Sequence, residues 1–261
     1  MIPLRDDNPT RTVPWVTYAI IAINVVVWGW QLTSEMAGVT WLAAAYGVVP
    51  RRLFADPLGE VFTIFTSMFM HGDWGHIAGN MLFLYVFGDN VEDRLGHGRY
   101  IVFYLLSGFC AALAQAFIVP TAMTPMVGAS GAIAGALGAY LVLYPKAPIM
   151  VFNPFFPLWF VFGPVIMLPA WIMVGVWFVY NNLLPALASV GTADVGGVAF
   201  FAHIGGFLAG LVSVKPLCRG RGSRDLRAWS GWRPPPGSTR RAWPTDPRRR
   251  PRSFYDRDGW Y

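Results

Sequence analysis

A serine and a histidine, each set in an apolar run, are the residues of this sequence best suited to chemistry. Ser130 lies in Gly-Ala-Ser-Gly and His203 lies in Ala-His-Ile-Gly-Gly. A serine hydroxyl becomes a useful nucleophile when a neighbouring base takes its proton. No Asp or Glu lies at the same depth in either run, so the sequence predicts a Ser130–His203 dyad rather than a triad with a carboxylate.

A second pair of polar residues, His76 and Asn80, is spaced by four positions and so shares one helix face. Both side chains carry N–H donors, and neither residue is usual on a lipid-facing surface. Together with the backbone N–H of Ser130, they are candidates for an oxyanion hole that binds the negative charge of an acyl-transfer intermediate.

Small residues accompany the serine and the histidine at intervals that favour close helix packing. Gly131 and Gly135 follow the serine, Gly206 and Gly210 follow the histidine, and Gly128 precedes the serine. Pairs of small residues four positions apart let two helix backbones approach closely. We therefore expect the two helices to pack tightly enough for a serine–histidine hydrogen bond.

Each of these features has an ordinary structural explanation when it is taken alone. A serine in an apolar helix often bonds to a carbonyl of its own helix, and an intramembrane histidine or asparagine often bonds a neighbouring helix. The other histidines, His71 and His97, lie at the edges of runs and are expected to be solvated.

The composition excludes an ordinary soluble enzyme. The chain of 261 residues is 55% hydrophobic and only 13% charged, with a mean hydropathy of +0.44, whereas soluble domains carry about 25% charged residues. Cys110 and Cys218 are too few for a disulfide framework or a metal cluster. The sequence predicts no metal and no cofactor.

Apolar runs of spanning length predict six transmembrane helices, because a helix needs about 20 residues to cross the bilayer. With the N-terminus inside, cytoplasmic segments hold every Lys and Arg except Arg51 and Arg52, and a seventh span would place a basic tail outside. Both termini are therefore predicted to be cytoplasmic. The runs are 13–32, 75–95, 98–118, 126–145, 158–185 and 196–214.

This topology places all four polar residues at one depth. They occur in the second, fourth and sixth runs, each of which passes from outside to inside, and each lies within the first turns of its run. At 1.5 Å per residue this puts them roughly 5–12 Å below the outer surface. Structural polar residues have no reason to share a depth, so a shared site is the better explanation.

The chain divides into a short N-terminal segment (1–12), a membrane domain (13–214) and a basic tail (215–261). The tail holds 13 of the 20 Lys and Arg residues and is rich in proline, which favours disorder. Its expected partner is anionic lipid rather than nucleic acid. The aromatic and apolar segment 33–60 is expected to fold at or in the outer interface.

Taken in order, these motifs resemble those of the rhomboid family of intramembrane serine proteases. The resemblance covers most of 13–214 and rests on His-Gly-Asp-Trp-Gly-His-Ile-Ala-Gly-Asn at 71–80, Gly-Ala-Ser-Gly at 128–131 and Ala-His-Ile-Gly-Gly at 202–206. It implies an all-α bundle of six transmembrane helices, with Ser130 as nucleophile, His203 as general base, and His76 and Asn80 as oxyanion donors. It also implies transmembrane protein substrates.

The resemblance further implies that the fifth span and the loop 186–195 form a mobile gate and cap. Several family members carry an aromatic residue four positions after the serine that stacks on the catalytic histidine, but this chain has Ala134. Phe62-Thr63 likewise replaces the Trp-Arg that some members carry before the first histidine motif.

Three other classes of protein fit the sequence less well. A catalytically silent rhomboid-fold protein that binds membrane partners usually lacks the serine or the histidine, whereas this chain has both. A transporter favours repeats and deep carboxylates, and a zinc protease requires His-Glu-x-x-His; this sequence has none of these. The expected location is a bacterial plasma membrane, with the site opening to the extracytoplasmic side.

Overall fold

The computed structural model describes residues 1–153, 157, 159–189 and 199–218, and the protein is mostly helical. The tail beyond Cys218 and much of the predicted cap loop lie outside the described residues. In chain order the elements are β1 (Ile2–Asp6), α1 (Trp15–Met36), α2 (Leu42–Tyr46), α3 (Pro50–Ala55), α4 (Pro57–Thr66), α5 (Trp74–Leu95), α6 (His97–Ile118), α7 (Ser130–Leu143), β2 (Pro148–Phe152), α8 (Trp159–Phe162), β3 (Val165–Pro169), α9 (Ala170–Phe178), a π-helical turn (Val179–Leu183), α10 (Leu184–Ser189) and α11 (Phe200–Leu217).

Four helical segments of the described chain are long and apolar enough to cross a membrane: α1, α6, α11 and the continuous stretch from Ala170 to Ser189. The chain is thus a multi-pass membrane protein. The predicted second and fourth runs correspond to α5 and α7. The end of α5 is charged, and α7 has 14 residues and is about 21 Å long.

The short helix α7 lies at the centre of the bundle, against α5, α6 and α11. Its sequence begins with Ser-Gly-Ala-Ile-Ala-Gly-Ala and is buried along almost its whole length. Small side chains let the neighbouring backbones come close on every side. The helix follows Gly128 and ends before Pro145, and these breaks fix both its length and its position.

A three-stranded antiparallel sheet with strand order β1-β2-β3 departs from the predicted all-α fold. In the register of β2 with β3, Ile149 pairs with Leu168 and Val151 pairs with Ile166. Ile149 and Val151 are fully buried. Buried residues alternate with half-buried ones along β2, as the two faces of a strand require, but its sequence Pro-Ile-Met-Val-Phe is apolar throughout and shows no matching alternation of polar residues.

The sheet also changes the predicted fifth span. The apolar run at 158–185 was expected to be one helix, but β3 occupies part of it and α9 begins only at Ala170. Pro169 is the reason for this boundary, since it precedes the first helical turn with extended backbone dihedral angles.

At the other end of the bundle, the segment predicted to fold at the interface forms α2, α3 and α4, and it packs against α6 through the buried Leu53. Val48 pairs with Met126 through two backbone hydrogen bonds of 3.0 and 2.8 Å. The N–H of Gly128 donates to the carbonyl oxygen of Ser67 at 2.9 Å. These bonds anchor the loop that leads into α7.

Candidate active site

Ser130 and His203 lie side by side at neighbouring helix ends. Ser130 is the first residue of α7, and His203 lies in the first turn of α11. The Oγ atom of Ser130 is 2.7 Å from Nε2 of His203, which is hydrogen-bond distance. Both residues are half-buried, so the pair is neither sealed in the core nor free in solvent.

The predicted glycines explain how α7 and α11 come so close. A Cβ atom on Gly206 would collide with the carbonyl oxygen of Gly131, and one on Gly210 would collide with that of Gly135. Larger residues would push the two helices apart. The backbone contact and the Ser–His hydrogen bond therefore depend on the same interface.

His76 and Asn80 reach the same site from α5. A Cβ atom built on Gly128 would lie 2.6 Å from Nε2 of His76 and 3.6 Å from Nδ2 of Asn80. Gly128 also has a φ of +127°, a conformation that glycine adopts readily. Asp73 caps α5 by accepting a 2.8 Å hydrogen bond from the N–H of His76. The structure thus brings all four predicted polar residues together beside the glycine turn.

The expectation that His71 is solvated is wrong. Only 2% of its surface is exposed, and its Nε2 lies 3.0 Å from Nδ2 of Asn80. Burial, followed by the nearby His76, lowers the pKa of His71 from 6.5 to about 4. His71 is buried because the side chain of Gln31 in α1 bonds both the backbone N–H and the backbone carbonyl of His71 and holds the loop against the bundle.

Two residues next to His203 were not predicted, and both come from the fifth apolar run. The Oδ1 atom of Asn182 lies 2.6 Å from Nδ1 of His203, and the Trp177 ring lies 6.3 Å from the imidazole. Both are therefore candidates for fixing the orientation of the imidazole in a chain that has Ala134 four positions after the serine. The signal in the sequence was weak: Asn181-Asn182 is a polar pair in an uncharged stretch, without a motif to connect it with the histidine.

The space around Ser130 suits an acyl-transfer reaction. The serine begins a helix, where the first backbone N–H groups have no partner within the helix, and within the described residues no side chain caps it. A cavity of about 40 Å³ adjoins Ser130 and is lined by small or flexible residues that include Ser67, Met68 and Ala111. It has room for a water molecule or a methyl-sized side chain.

Within the described residues, no group of three or more His, Cys, Asp or Glu side chains is placed to hold a metal ion. In the part of the chain that the structure describes, neither Cys110 nor Cys218 forms a disulfide.

Comparison with known proteins gives a family match over most of the helical domain. The family model described as Rhomboid domain matches residues 58–220. The mitochondrial Rhomboid protein 1 of Saccharomyces cerevisiae is 27% identical over 225 residues, which are 83% of this chain and 58% of that protein.

Two bacterial relatives carry protease in their names. Rhomboid protease GluP of Bacillus subtilis is 33% identical over 128 residues, which are 49% of this chain and 24% of the relative. Rhomboid protease GlpG of Salmonella typhi is 27% identical over 197 residues, which are 75% of this chain and 60% of the relative. The chain thus matches between a quarter and three fifths of the length of these relatives.

Proposed function

The chain belongs to the rhomboid family, and from that premise we propose that it is an intramembrane serine endopeptidase. The observation that carries the proposal is the 2.7 Å distance between Ser130 Oγ and His203 Nε2. Relatives of this chain are named rhomboid proteases, which supports a protease. The family also contains proteins without activity, so a bonded serine–histidine pair is the feature that favours catalysis over partner binding alone.

In the first half of the reaction, Ser130 Oγ attacks the carbonyl carbon of the scissile bond while Nε2 of His203 takes the hydroxyl proton. A tetrahedral intermediate forms with a negative oxygen. His203 then returns the proton to the leaving nitrogen, the C–N bond breaks, and an ester joins the N-terminal half of the substrate to Ser130.

In the second half, a water molecule gives a proton to His203 and attacks the ester, and the proton passes to Ser130 Oγ as the ester breaks. The products are a carboxylic acid and the free serine. His76, Asn80 and the backbone N–H of Ser130 would stabilise the negative oxygen in both halves, because donors fixed beforehand need no reorganisation when the charge develops.

We also propose the six-span topology, with both termini on the cytoplasmic side. Pairing of β1 with β2 requires residues 2–6 and 148–152 to share one side of the membrane, which supports an even number of crossings between them. Pairing of Val48 with Met126 supports the same topology on the other side. The charge distribution favours a cytoplasmic sheet and a site that opens to the extracytoplasmic side of the cell membrane.

The proposed substrates are membrane-anchored proteins cut in or near a transmembrane helix. A helix hides its peptide bonds in backbone hydrogen bonds, so it must unwind locally before Ser130 can attack. We propose that 13–214 is the catalytic domain and that the basic tail at 215–261 binds anionic lipid headgroups.

Labelling by a fluorophosphonate tests the proposal without a known substrate. The full-length protein in lipid nanodiscs, with Ser130→Ala and His203→Ala beside it, would be treated with the probe and read by intact mass. We expect one adduct on the wild type, none on Ser130→Ala and at least a 10²-fold slower reaction of His203→Ala. Equal labelling of wild type and Ser130→Ala would show that Ser130 is not the labelled nucleophile, and no labelling of a folded wild type would instead favour a silent binding protein.

A further inference from the structure

The imidazole of His203 is bonded on both of its nitrogens. Nε2 faces Ser130 Oγ at 2.7 Å, and Nδ1 faces Oδ1 of Asn182 at 2.6 Å. Asn182 is 1% exposed, so water does not compete for this second bond. The three side chains form a line from the hydroxyl, through the ring, to a buried amide.

The orientation of the Asn182 amide follows from its other contact. Nδ2 of Asn182 lies 3.3 Å from the carbonyl oxygen of Trp177, to which it donates. Oδ1 is therefore the atom that faces His203, and because an amide oxygen only accepts, Nδ1 of the histidine must carry the proton. Nε2 is then left unprotonated and can accept from Ser130.

The π-helical turn is what presents this amide to His203. Asn182 lies in the turn Val179–Leu183, between α9 and α10, and π-helical turns occur frequently at functional sites. Asn181 and Asn182 both donate to the Trp177 carbonyl, at 3.2 and 3.3 Å, so the two side chains occupy the irregular part of the helix. Of the two, only Asn182 is buried against the histidine.

We propose that Asn182 is a positioning residue that holds His203 in the tautomer and orientation required of a general base. The predicted dyad thereby becomes a hydrogen-bonded triad of Ser130, His203 and Asn182. Its third member is a neutral amide from the fifth span, which accepts a hydrogen bond from the imidazole and takes up no proton. This inference rests on the proposed function, since it assigns a role within that reaction. It also identifies what orients the imidazole in a chain that has Ala134 after the serine.

The test compares Asn182→Leu, which has similar volume but no acceptor, with Asn182→Asp, which keeps the acceptor and loses the donor. Asn181→Leu is the matched control, because Asn181 bonds the same carbonyl but is exposed, whereas Asn182 is buried and bonds His203. We expect Asn182→Leu to be labelled by fluorophosphonate about 10²–10⁴-fold more slowly, as expected for a histidine left in the wrong tautomer. Asn182→Asp and Asn181→Leu should stay within tenfold of the wild type.

A structural role would give a different pattern. If Asn182 served only to bond the Trp177 carbonyl, the Leu and Asp variants would lose activity equally, since both lack the donor. Equal loss in these two variants, or a wild-type rate in Asn182→Leu, would overturn the proposal.

Nitrogen-15 NMR of the histidines gives a readout that does not depend on activity. The chain has only four histidines, so the His203 signals can be assigned by comparison with His203→Ala. We expect a protonated Nδ1 and an unprotonated Nε2 in the wild type, and a substantial share of the other tautomer in Asn182→Leu. The same tautomer in both proteins would contradict the role of Asn182. If the wild type showed no Ser130-dependent labelling, the proposed function would fail while the tautomer measurement still tested Asn182.

Discussion

Asn80 donates to a histidine that is itself held by another helix. Its Nδ2 atom lies 3.0 Å from Nε2 of His71, and Gln31 of α1 accepts from the His71 N–H at 3.0 Å and donates to its carbonyl at 2.9 Å. An amide nitrogen has two hydrogens, so Asn80 can bond His71 with one and direct the other toward an oxyanion. His71 can accept this bond only while it is neutral.

Titration of His71 should therefore favour the unfolded chain in mild acid. Burial holds its pKa at about 4 in the folded chain, against 6.5 when unfolded. Between these values the unfolded chain binds a proton that the folded chain does not, so the free energy of unfolding falls as the pH falls. From pH 7.5 to pH 5, His71 should account for a loss of about 2 kcal/mol, or roughly 4–8 °C in thermal midpoint.

The variant His71→Gln cannot titrate but keeps a carbonyl that can accept from Asn80. Thermal unfolding in nanodiscs would be followed at both pH values, and pH 7.5, where His71 is neutral, serves as the reference for each protein. We expect the variant to lose less stability than the wild type on acidification. Parallel curves for the two proteins would show that His71 is not the titrating group.

For individual residues of the site, the sequence was informative where a motif existed and uninformative where the bonding partner lies far away along the chain. Polar groups in apolar helices are costly, and this singled out four candidates that the structure places close together: Ser130, His203, His76 and Asn80. His71 was expected to be solvated because nothing nearby in the chain indicates that Gln31, 40 positions away, draws it inward. Asn182 was not singled out because its partner lies 21 positions away in another helix.

Among the helices, the α7–α11 interface sets the geometry of the site. Gly206 lies one turn after His203, and its Cα faces the carbonyl of Gly131, next to Ser130. Neither backbone can yield locally, so any side chain at this position must separate the two helices. The Ser–His distance of 2.7 Å would lengthen with them.

Gly206→Ala should consequently impair both activity and stability. Overpacking typically costs about 1–3 kcal/mol, and a misplacement of about 1 Å can cost 10²-fold in rate. We expect fluorophosphonate labelling to slow by about 10²-fold and the thermal midpoint to fall. Both can be measured on the same nanodisc preparation.

Gly175→Ala is the matched control for this change. It also adds a methyl group to a helical glycine, but apart from its sequence neighbours and the backbone of its own helix, no atom of the described residues lies within 4 Å of the position that its Cβ would take. This variant should label at the wild-type rate and should be no less stable, because alanine is the better helix former. A Gly206→Ala protein that behaved like Gly175→Ala would mean that the interface tolerates a wider spacing.

Uniformly apolar helices were predictable to within a few residues. The predicted run 98–118 corresponds to the helix His97–Ile118, and the predicted run 13–32 corresponds to the helix Trp15–Met36. The run 158–185 was different, because an apolar segment rich in proline does not by itself distinguish strand from helix. Strand pairing is decided by partners far along the chain. Here β2 pairs with the N-terminal strand, about 145 positions away.

Across the whole molecule, the sheet connects the N-terminus to the helical stretch from Ala170 to Ser189, which contains Trp177 and Asn182. Strand β1 pairs with β2, β2 pairs with β3, and β3 leads directly into α9 at Pro169. The Asp6 side chain joins this sheet to the bundle, since it accepts from the Tyr140 hydroxyl at 2.5 Å and from Nδ2 of Asn90 at 2.8 Å.

Ionisation of the Asp6 carboxyl group is unfavourable at this junction. Burial, followed by the nearby Asp89, raises its pKa well above the 3.8 of a free side chain. An acid whose pKa is raised on folding favours the folded state at low pH, and that contribution is lost as the pH rises through the folded pKa. The wild type should therefore lose stability between pH 5 and pH 8 through this residue.

Asp6→Asn removes the charge and keeps an oxygen that can accept from Tyr140 and Asn90. Because the neutral side chain pays no desolvation cost for a charge, the variant should gain in thermal midpoint relative to the wild type as the pH is raised from 5 to 8. Thermal unfolding of the two proteins across that range measures the difference. Glu35→Gln is the control, since Glu35 is an exposed carboxylate on α1 and is not among the charges that act on the pKa of Asp6. A gain that did not grow with pH, or one that Glu35→Gln reproduced, would show that an Asp6 charge does not destabilise this junction.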